Sequence, residues 1–294
     1  MKPQVAFIGL GVMGYPMAGH LQREGWNTTV YNRTGSKAQR WVQEYGGETA
    51  STPRGAAAGK DVICVCVGND DDVRSVFYGS DGLLAELKPG AIVIDHTTAS
   101  AELARELSQA VIEAGGRFLD APVSGGQQGA ENGKLTAMIG GDQSALADVD
   151  ILLSSYAKTR EHMGPAGHGQ LAKMVNQICI AGVVQGLAEG LSFARKVGLD
   201  ADTLIKAISQ GAAGSWQMQN RYKTMWDQHY NHGFAVDWMR KDLKIALVEG
   251  DRQGLTLPLT ALVDQFYAEV QQMGGNRWDT SSLLARLEKI ASSE

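Results

Sequence analysis

Cysteine is scarce in this chain, and its scarcity narrows what the protein can be. Three cysteines occur among 294 residues, at positions 64, 66 and 179, each inside an apolar run. An odd count in such settings excludes a disulfide scaffold and predicts reduced, buried thiols in the cytoplasm. Cys64 and Cys66 are separated by one residue, which is neither the redox spacing nor that of a zinc knuckle, so no metal site is expected. Positive charge is not in excess either. A formal net charge of -5 offers no general attraction to nucleic acid. No internal repeat is evident, and Val5–Ile8 runs too soon into glycine for a secretory signal. One segment, about 168–196, has the length of a membrane span. It carries Gln170, Lys173, Asn176, Gln177, Gln185 and Glu189, which argue against lipid. What remains is a globular chain, 44% hydrophobic and 20% charged, long enough for about two domains.

The first half alternates between two kinds of segment. Short β-rich runs at 5–8, 28–31, 61–67, 91–95 and 117–120 are separated by helical stretches near 13–24, 36–45 and 101–114. Runs that are apolar throughout and spaced by helices predict a parallel sheet covered on both faces, a doubly wound domain. Residues 135–139 and 159–163 add candidate strands at its far edge.

Between the first strand and the first helix stands Gly9-Leu10-Gly11-Val12-Met13-Gly14. Gly9 permits the tight turn, Gly11 lets backbone approach a pyrophosphate, and Gly14 allows close packing of helix on strand. The helix start supplies free amides and a favourable dipole for phosphates. The motif sits where the mechanism requires it, so a dinucleotide cofactor is expected. At the end of the second strand, where NAD-binding chains usually carry an acid, this chain has Asn32-Arg33-Thr34, with Ser36 and Lys37 close behind. Asn32 removes a carboxylate that would repel a 2′-phosphate, and Arg33 can pair with that phosphate. NADP is therefore predicted over NAD.

Other loops fall at the ligand side of such a sheet, beyond the carboxyl ends of its strands. Val67 and Gly68 follow one strand. His96, Thr97 and Thr98 follow the next, where the threonines either contact ligand or cap the helix beginning near Ala101. His96 has no acid at obvious spacing and is read as a bystander. Ser124, followed by Gly125 and Gly126, exposes a hydroxyl and unhindered amides, a cradle for a small carboxylate. A flexible surface loop is the plainer alternative. Gly164-Pro165-Ala166-Gly167 marks a domain boundary, giving residues 1–164 and 165–294. The second part reads as all-helical and able to contribute to a subunit interface. It opens with the long apolar helix of about 168–196, on which Lys173 and Asn176 share a face.

Taken together, these residues resemble the β-hydroxyacid dehydrogenase family, which includes 3-hydroxyisobutyrate dehydrogenases and the NADPH-dependent glyoxylate/succinic semialdehyde reductases. The likeness covers essentially the whole chain and rests on four motifs: Gly9–Gly14 with Pro16-Met17-Ala18, Asp120–Gly126, Gly167–Asn176, and Lys241-Asp242-Leu243. It implies an N-terminal Rossmann domain and a helical C-terminal domain joined by the long helix, and homodimers or homotetramers. It assigns catalysis to Lys173 with Asn176 beside it, and substrate binding to these two with Ser124, Gly125 and Gly126. Cofactor contacts fall on Gly9 to Gly14, Asn32, Arg33, Thr34, Val67, Gly68, Thr98 and Lys241. Many members carry proline at the positions of Gly68 and Ala101, a difference that leaves the hydride chemistry intact but does not carry their exact loop shape over to this chain.

The implied reaction is hydride exchange with a small carboxylate-bearing aldehyde or hydroxyacid, Lys173 serving as general acid and base. A free lysine titrates near ~10.4, and burial or a neighbouring cation such as Lys241 would lower this. Imine reductases share the architecture but place Asp or Tyr at the lysine position. A noncatalytic dinucleotide-binding module would have no use for Lys173. Trp216 shapes the substrate pocket or belongs to the core.

Overall fold

A computed structural model describes residues 2–292. The chain divides into two compact units, residues 1–173 and 174–294. In order, the first holds β1 (Gln4–Ile8), α1 (Gly14–Arg23), β2 (Asn27–Tyr31), α2 (Gly35–Tyr45), β3 (Glu48–Thr49), α3 (Pro53–Ala57), β4 (Val62–Val65) and α4 (Asp70–Phe77). It continues with β5 (Ile92–Asp95), α5 (Ala101–Glu113), β6 (Arg117–Asp120), β7 (Val123–Ser124), α6 (Gly126–Glu131), β8 (Leu135–Gly141), α7 (Gln143–Ser154) and β9 (Ala157–Gly164). The long helix α8 (His168–Lys196) starts in this unit and ends in the next. There it is followed by α9 (Ala201–Ile208), α10 (Trp216–Trp226), α11 (Val236–Arg252), α12 (Pro258–Gln272) and α13 (Leu283–Ser292).

The sheet runs β3-β2-β1-β4-β5-β6-β8-β7, with β9 pairing β8. Its central strands are parallel and buried on both faces, which explains why they read as unbroken apolar runs. Val5, Phe7, Cys64, Ile92 and Ile94 pack on one face with Met17, Leu21 and Trp41. Ala6, Ile8, Ile63, Val65 and Val93 pack on the other with Phe77, Leu103 and Leu107. The sheet departs from the expected all-parallel form at β8, which is antiparallel to β6 and β7. The tight β7–α6–β8 connection returns the chain alongside itself, whereas a parallel pairing needs a longer crossover.

Register sets up the site. Ile8 lies opposite Tyr31 and Val65, Val65 opposite Asp95, and Asp95 opposite Asp120. The carboxyl ends of five strands are thus level, and the loops after them open on one rim. Strand order reverses at β1, so the crevice belongs beside Gly9–Gly14.

In the second unit the apolar face of α8 (Ala181, Val184, Ala188, Leu191) packs with Met239, Leu243, Val263, Tyr267 and Leu283. The two units divide inside α8, beyond the Gly164–Gly167 turn expected to separate domains. The physical reason is that Asp120 at the end of β6 and the loop after β5 hold the first turn of α8.

Candidate active site

The glycine-rich turn has the geometry its sequence requires. Gly9 has a φ of +100°, and a Cβ there would sit 2.2 Å from the Cys66 carbonyl oxygen. A Cβ on Gly14 would sit 2.1 Å from the Gly9 carbonyl oxygen and 3.0 Å from the Phe7 ring, so helix and strand touch through backbone. Gly11 differs: a Cβ there meets nothing within 4 Å. No side chain caps α1, and its first turn carries no acid. Uncapped amides at a helix start, beside a glycine facing open space, fit a pyrophosphate. A cavity of about 500 Å³ opens here, lined by Leu10, Gly11, Val12, Tyr15, Lys37 and Arg40 among others.

Asn32 does more than remove a carboxylate. Its side-chain oxygen accepts from the Leu10 amide (3.0 Å) and its amide nitrogen donates to the Thr34 carbonyl (3.0 Å), pinning the glycine turn to the end of β2. Arg33, 84% exposed in its side chain, reaches over to Asp72 on α4 at 3.0 Å. That partner was not anticipated from the sequence.

On the next loops the threonines do not cap α5. Ser100 does, accepting from the Leu103 amide, while its own hydroxyl donates to Asp70. The Thr97 hydroxyl accepts from the Val67 amide (3.0 Å), tying the β4 and β5 loops together. His96 is fully enclosed, with Nδ1 against the Ala121 carbonyl (2.7 Å) and Nε2 against the Tyr156 hydroxyl (2.8 Å). Burial pushes its pKa down to about 4, so it stays neutral and structural. The bystander reading of His96 agrees with these contacts.

Two acids close the apolar strands β5 and β6. Burial pushes Asp95 up to about 7 and Asp120 up to about 6, against the pull of their hydrogen bonds. Asp95 accepts from the Thr97 amide (2.9 Å). Asp120 accepts from the Gly167 amide (2.7 Å) and the Gln170 amide (2.9 Å), which anchors the start of α8. Gly140 and Gly169 make this contact sterically possible. A Cβ on the former would meet Asp120 Oδ1 at 2.5 Å, and one on the latter the Asp120 carbonyl oxygen at 2.5 Å. These anchoring roles escaped the sequence reading, although an acid ending a buried strand is a visible signal.

Lys173 lies one turn into the anchored helix and is 7% exposed. Ser124 closes β7 half-buried, and Gly125 (φ +128°) and Gly126 (φ +61°) follow it, both exposed. The expected open loop is instead a turn leading into the short helix α6. In the second unit, Asn176 donates to Gln177 (2.8 Å), Gln177 donates to Asp242 (2.6 Å), and Lys241 pairs with Asp242 (3.0 Å). Trp216 is 52% exposed beneath Arg221 and is not a core residue. Among the described residues, no cluster of His, Cys, Asp or Glu has metal-binding geometry.

Comparison with known proteins places two models side by side along the chain. The NAD binding domain of 6-phosphogluconate dehydrogenase matches residues 4–164. The domain described as NAD-binding of NADP-dependent 3-hydroxyisobutyrate dehydrogenase matches residues 167–287. An uncharacterized oxidoreductase of Shewanella frigidimarina is 63% identical, over 98% of this chain and 99% of its own length. A probable mitochondrial 3-hydroxyisobutyrate dehydrogenase-like protein of Arabidopsis thaliana is 41% identical, over 98% and 86%. The solved structure of Mycobacterium tuberculosis 3-hydroxyisobutyrate dehydrogenase with L-serine superposes with a TM-score of 0.88 at 30% identity, over 98% and 99% of the two chains.

Proposed function

This chain belongs to the β-hydroxyacid dehydrogenase family of nicotinamide-dependent oxidoreductases, and from that premise we propose an NADP(H)-dependent enzyme interconverting a small β-hydroxyacid and its semialdehyde. The reading rests above all on Lys173, a buried lysine on a helix fastened to the rim where the glycine-rich turn opens. With its pyrophosphate held at that turn, a nicotinamide dinucleotide would supply or take the hydride. Lys173 gives a proton to the carbonyl oxygen in reduction and takes it from the hydroxyl in oxidation. Asn176, one turn along the helix, orients that oxygen. The Ser124 hydroxyl and the backbone at Gly125 and Gly126 hold the carboxylate. L-serine in the mycobacterial structure is itself a small β-hydroxyacid, which supports this substrate class.

Arg33 and Lys37, with no acid at position 32, support NADP over NAD. The helical unit leaves Val175, Val183 and Phe193 exposed along α8, an apolar stripe that suits self-association. The thiols are all free, although only Cys64 is buried as expected and Cys179 is exposed; free thiols are in keeping with the cytoplasm.

Initial rates with NADPH and NADH over glyoxylate, succinic semialdehyde and tartronate semialdehyde test the reading. NADPH is expected to give at least about tenfold higher kcat/KM, on the scale of one lost charge-assisted contact. A clear NADH preference overturns the cofactor assignment. Lys173→Ala is expected to lose ~10²–10⁴-fold in kcat while still binding NADPH. Near-normal turnover removes Lys173 from the chemistry.

A further inference from the structure

Gln170 sits one helical turn before Lys173 and is 1% exposed. Its side-chain amide makes two hydrogen bonds to the β5 loop: Nε2 donates to the Thr97 carbonyl (2.7 Å), and Oε1 accepts from the Ala99 amide (3.0 Å). These two groups belong to the peptide units on either side of Thr98. The backbone amide of Gln170 meanwhile donates to Asp120, and Thr97 holds Val67 through its hydroxyl. One residue therefore joins the helix carrying Lys173, the end of β6, and two loops of the cofactor rim.

The chemistry of the contact is specific to an amide. The loop presents a carbonyl oxygen and an N–H side by side, and a primary amide answers both at once. A carboxylate would set its charge against the Thr97 carbonyl, and a hydrocarbon would leave both loop groups buried and unpaired.

We propose that Gln170 is a positioning residue that fixes Lys173 relative to Thr98, and so relative to the reacting atoms. The role rests on the general acid/base reading of Lys173. An error of about 1 Å in such placement is enough to cost on the order of 10²-fold in rate.

Two variants test it. Gln170→Met removes both hydrogen bonds at every pH. Gln170→Glu restores the pattern when protonated, its O–H donating to Thr97 and its other oxygen accepting from Ala99, and breaks it when ionised. The titratable or charged groups near position 170 include Asp95 and His96 at the end of β5, Asp120 at the end of β6, Asp70 on α4, which holds Ser100, Arg105 on α5 beside Gly167, and His168 and Lys173 on α8 itself. All are shared with the parent protein, so the parent's own pH profile is the reference. The expected result is a kcat lowered about 10- to 100-fold for Gln170→Met throughout. For Gln170→Glu, kcat should approach the parent's at acid pH and fall away as pH rises.

Hydrogen exchange without cofactor gives a second readout. The Ala99 amide should exchange faster in Gln170→Met, and in Gln170→Glu the excess over the parent should grow with pH. Parent-like kcat per folded molecule in Gln170→Met, or a Gln170→Glu profile parallel to the parent's, overturns the proposal. If Gln170→Met fails to fold, the Gln170→Glu profile decides alone. The two readings fail separately. Normal turnover in Lys173→Ala removes the general-acid assignment, whereas a crippled Lys173→Ala beside a parent-like Gln170→Met removes only the positioning role.

Discussion

Helices α1 and α8 both begin near glycines of positive φ, Gly9 and Gly167, at the rim where the strands end, yet their first turns meet opposite surroundings. At α1 no side chain caps the helix start, the first turn carries no acid, and Gly11 faces open space. At α8 the Asp120 carboxylate occupies the equivalent position and two amides are spent on it. The positive end of a helix is used once to receive an anion from outside and once to accept an anion from the chain itself. An open end gives binding, and a filled end gives position. A lysine proposed to deliver a proton to one atom belongs on the second kind.

The comparison is broken most severely by emptying the filled end. Asp120→Ala orphans the Gly167 and Gln170 amides in the interior, and should cost on the order of 3 kcal/mol in unfolding free energy. Urea denaturation reads this directly, and an unchanged midpoint would show that Asp120 does not anchor α8. The converse change fills the open end. Gly11→Asp should weaken NADPH binding by about 100-fold through charge repulsion, while the melting temperature of the cofactor-free protein holds or rises. Unweakened NADPH binding would place the cofactor elsewhere.

A third change sharpens the contrast through pH. A carboxyl whose folded pKa is raised stabilises the protein fully below its ordinary value, and that contribution is lost as pH climbs to the folded value. For Asp95 the window runs from 3.8 to about 7, and for Asp120 from 3.8 to about 6. His96, lowered from 6.5 to about 4, acts in the opposite sense across most of the same range. Asp95→Asn keeps the acceptor for Thr97 and removes its share. Relative to the parent it should gain about 2 kcal/mol between pH 5 and pH 7. Equal differences at both pH values would mean that Asp95 does not titrate there.

The smallest effect belongs to the exposed pair above the open end. Asp72→Asn releases Arg33 for a 2′-phosphate and should lower KM for NADPH about twofold to fivefold, with KM for NADH unmoved. Equal changes for both cofactors would separate Arg33 from the phosphate.

The open end was legible in the sequence because its signal is local. Three glycines between a strand and a helix carry their roles in their spacing, and all three have surroundings to match. The alternation of apolar strands and helices was legible for the same reason. The two-residue strands β3 and β7 and the helices α3, α4, α6 and α7 were not: most are too brief to carry periodicity, and α7, twelve residues long, is only weakly amphipathic. The direction of β8 was hidden as well, because alternation does not encode which way a strand runs. The filled end depends on residues 47 and 50 positions apart in the chain. Asp120 read as the end of a strand and the head of the Asp120–Gly126 motif, and Gln170 as one of the polar residues that argue against lipid. Neither showed its partner until the fold brought the segments together.

The seat of α8 also constrains how the protein can change over time. Any side chain added at Gly140 collides with Asp120 Oδ1 at 2.5 Å and the Gly169 backbone nitrogen at 2.7 Å, and any added at Gly169 collides with the Met138 carbonyl oxygen at 2.4 Å. Removing Asp120 first relieves part of the crowding but strands the amides it serves. The clashes with backbone atoms persist whatever side chain stands at 120, so no replacement at positions 120, 140 and 169, alone or paired, escapes a penalty. The seat is locked by backbone. Selection acting on substrate choice is left with the exposed loops, while the helix that carries Lys173 stays where it is.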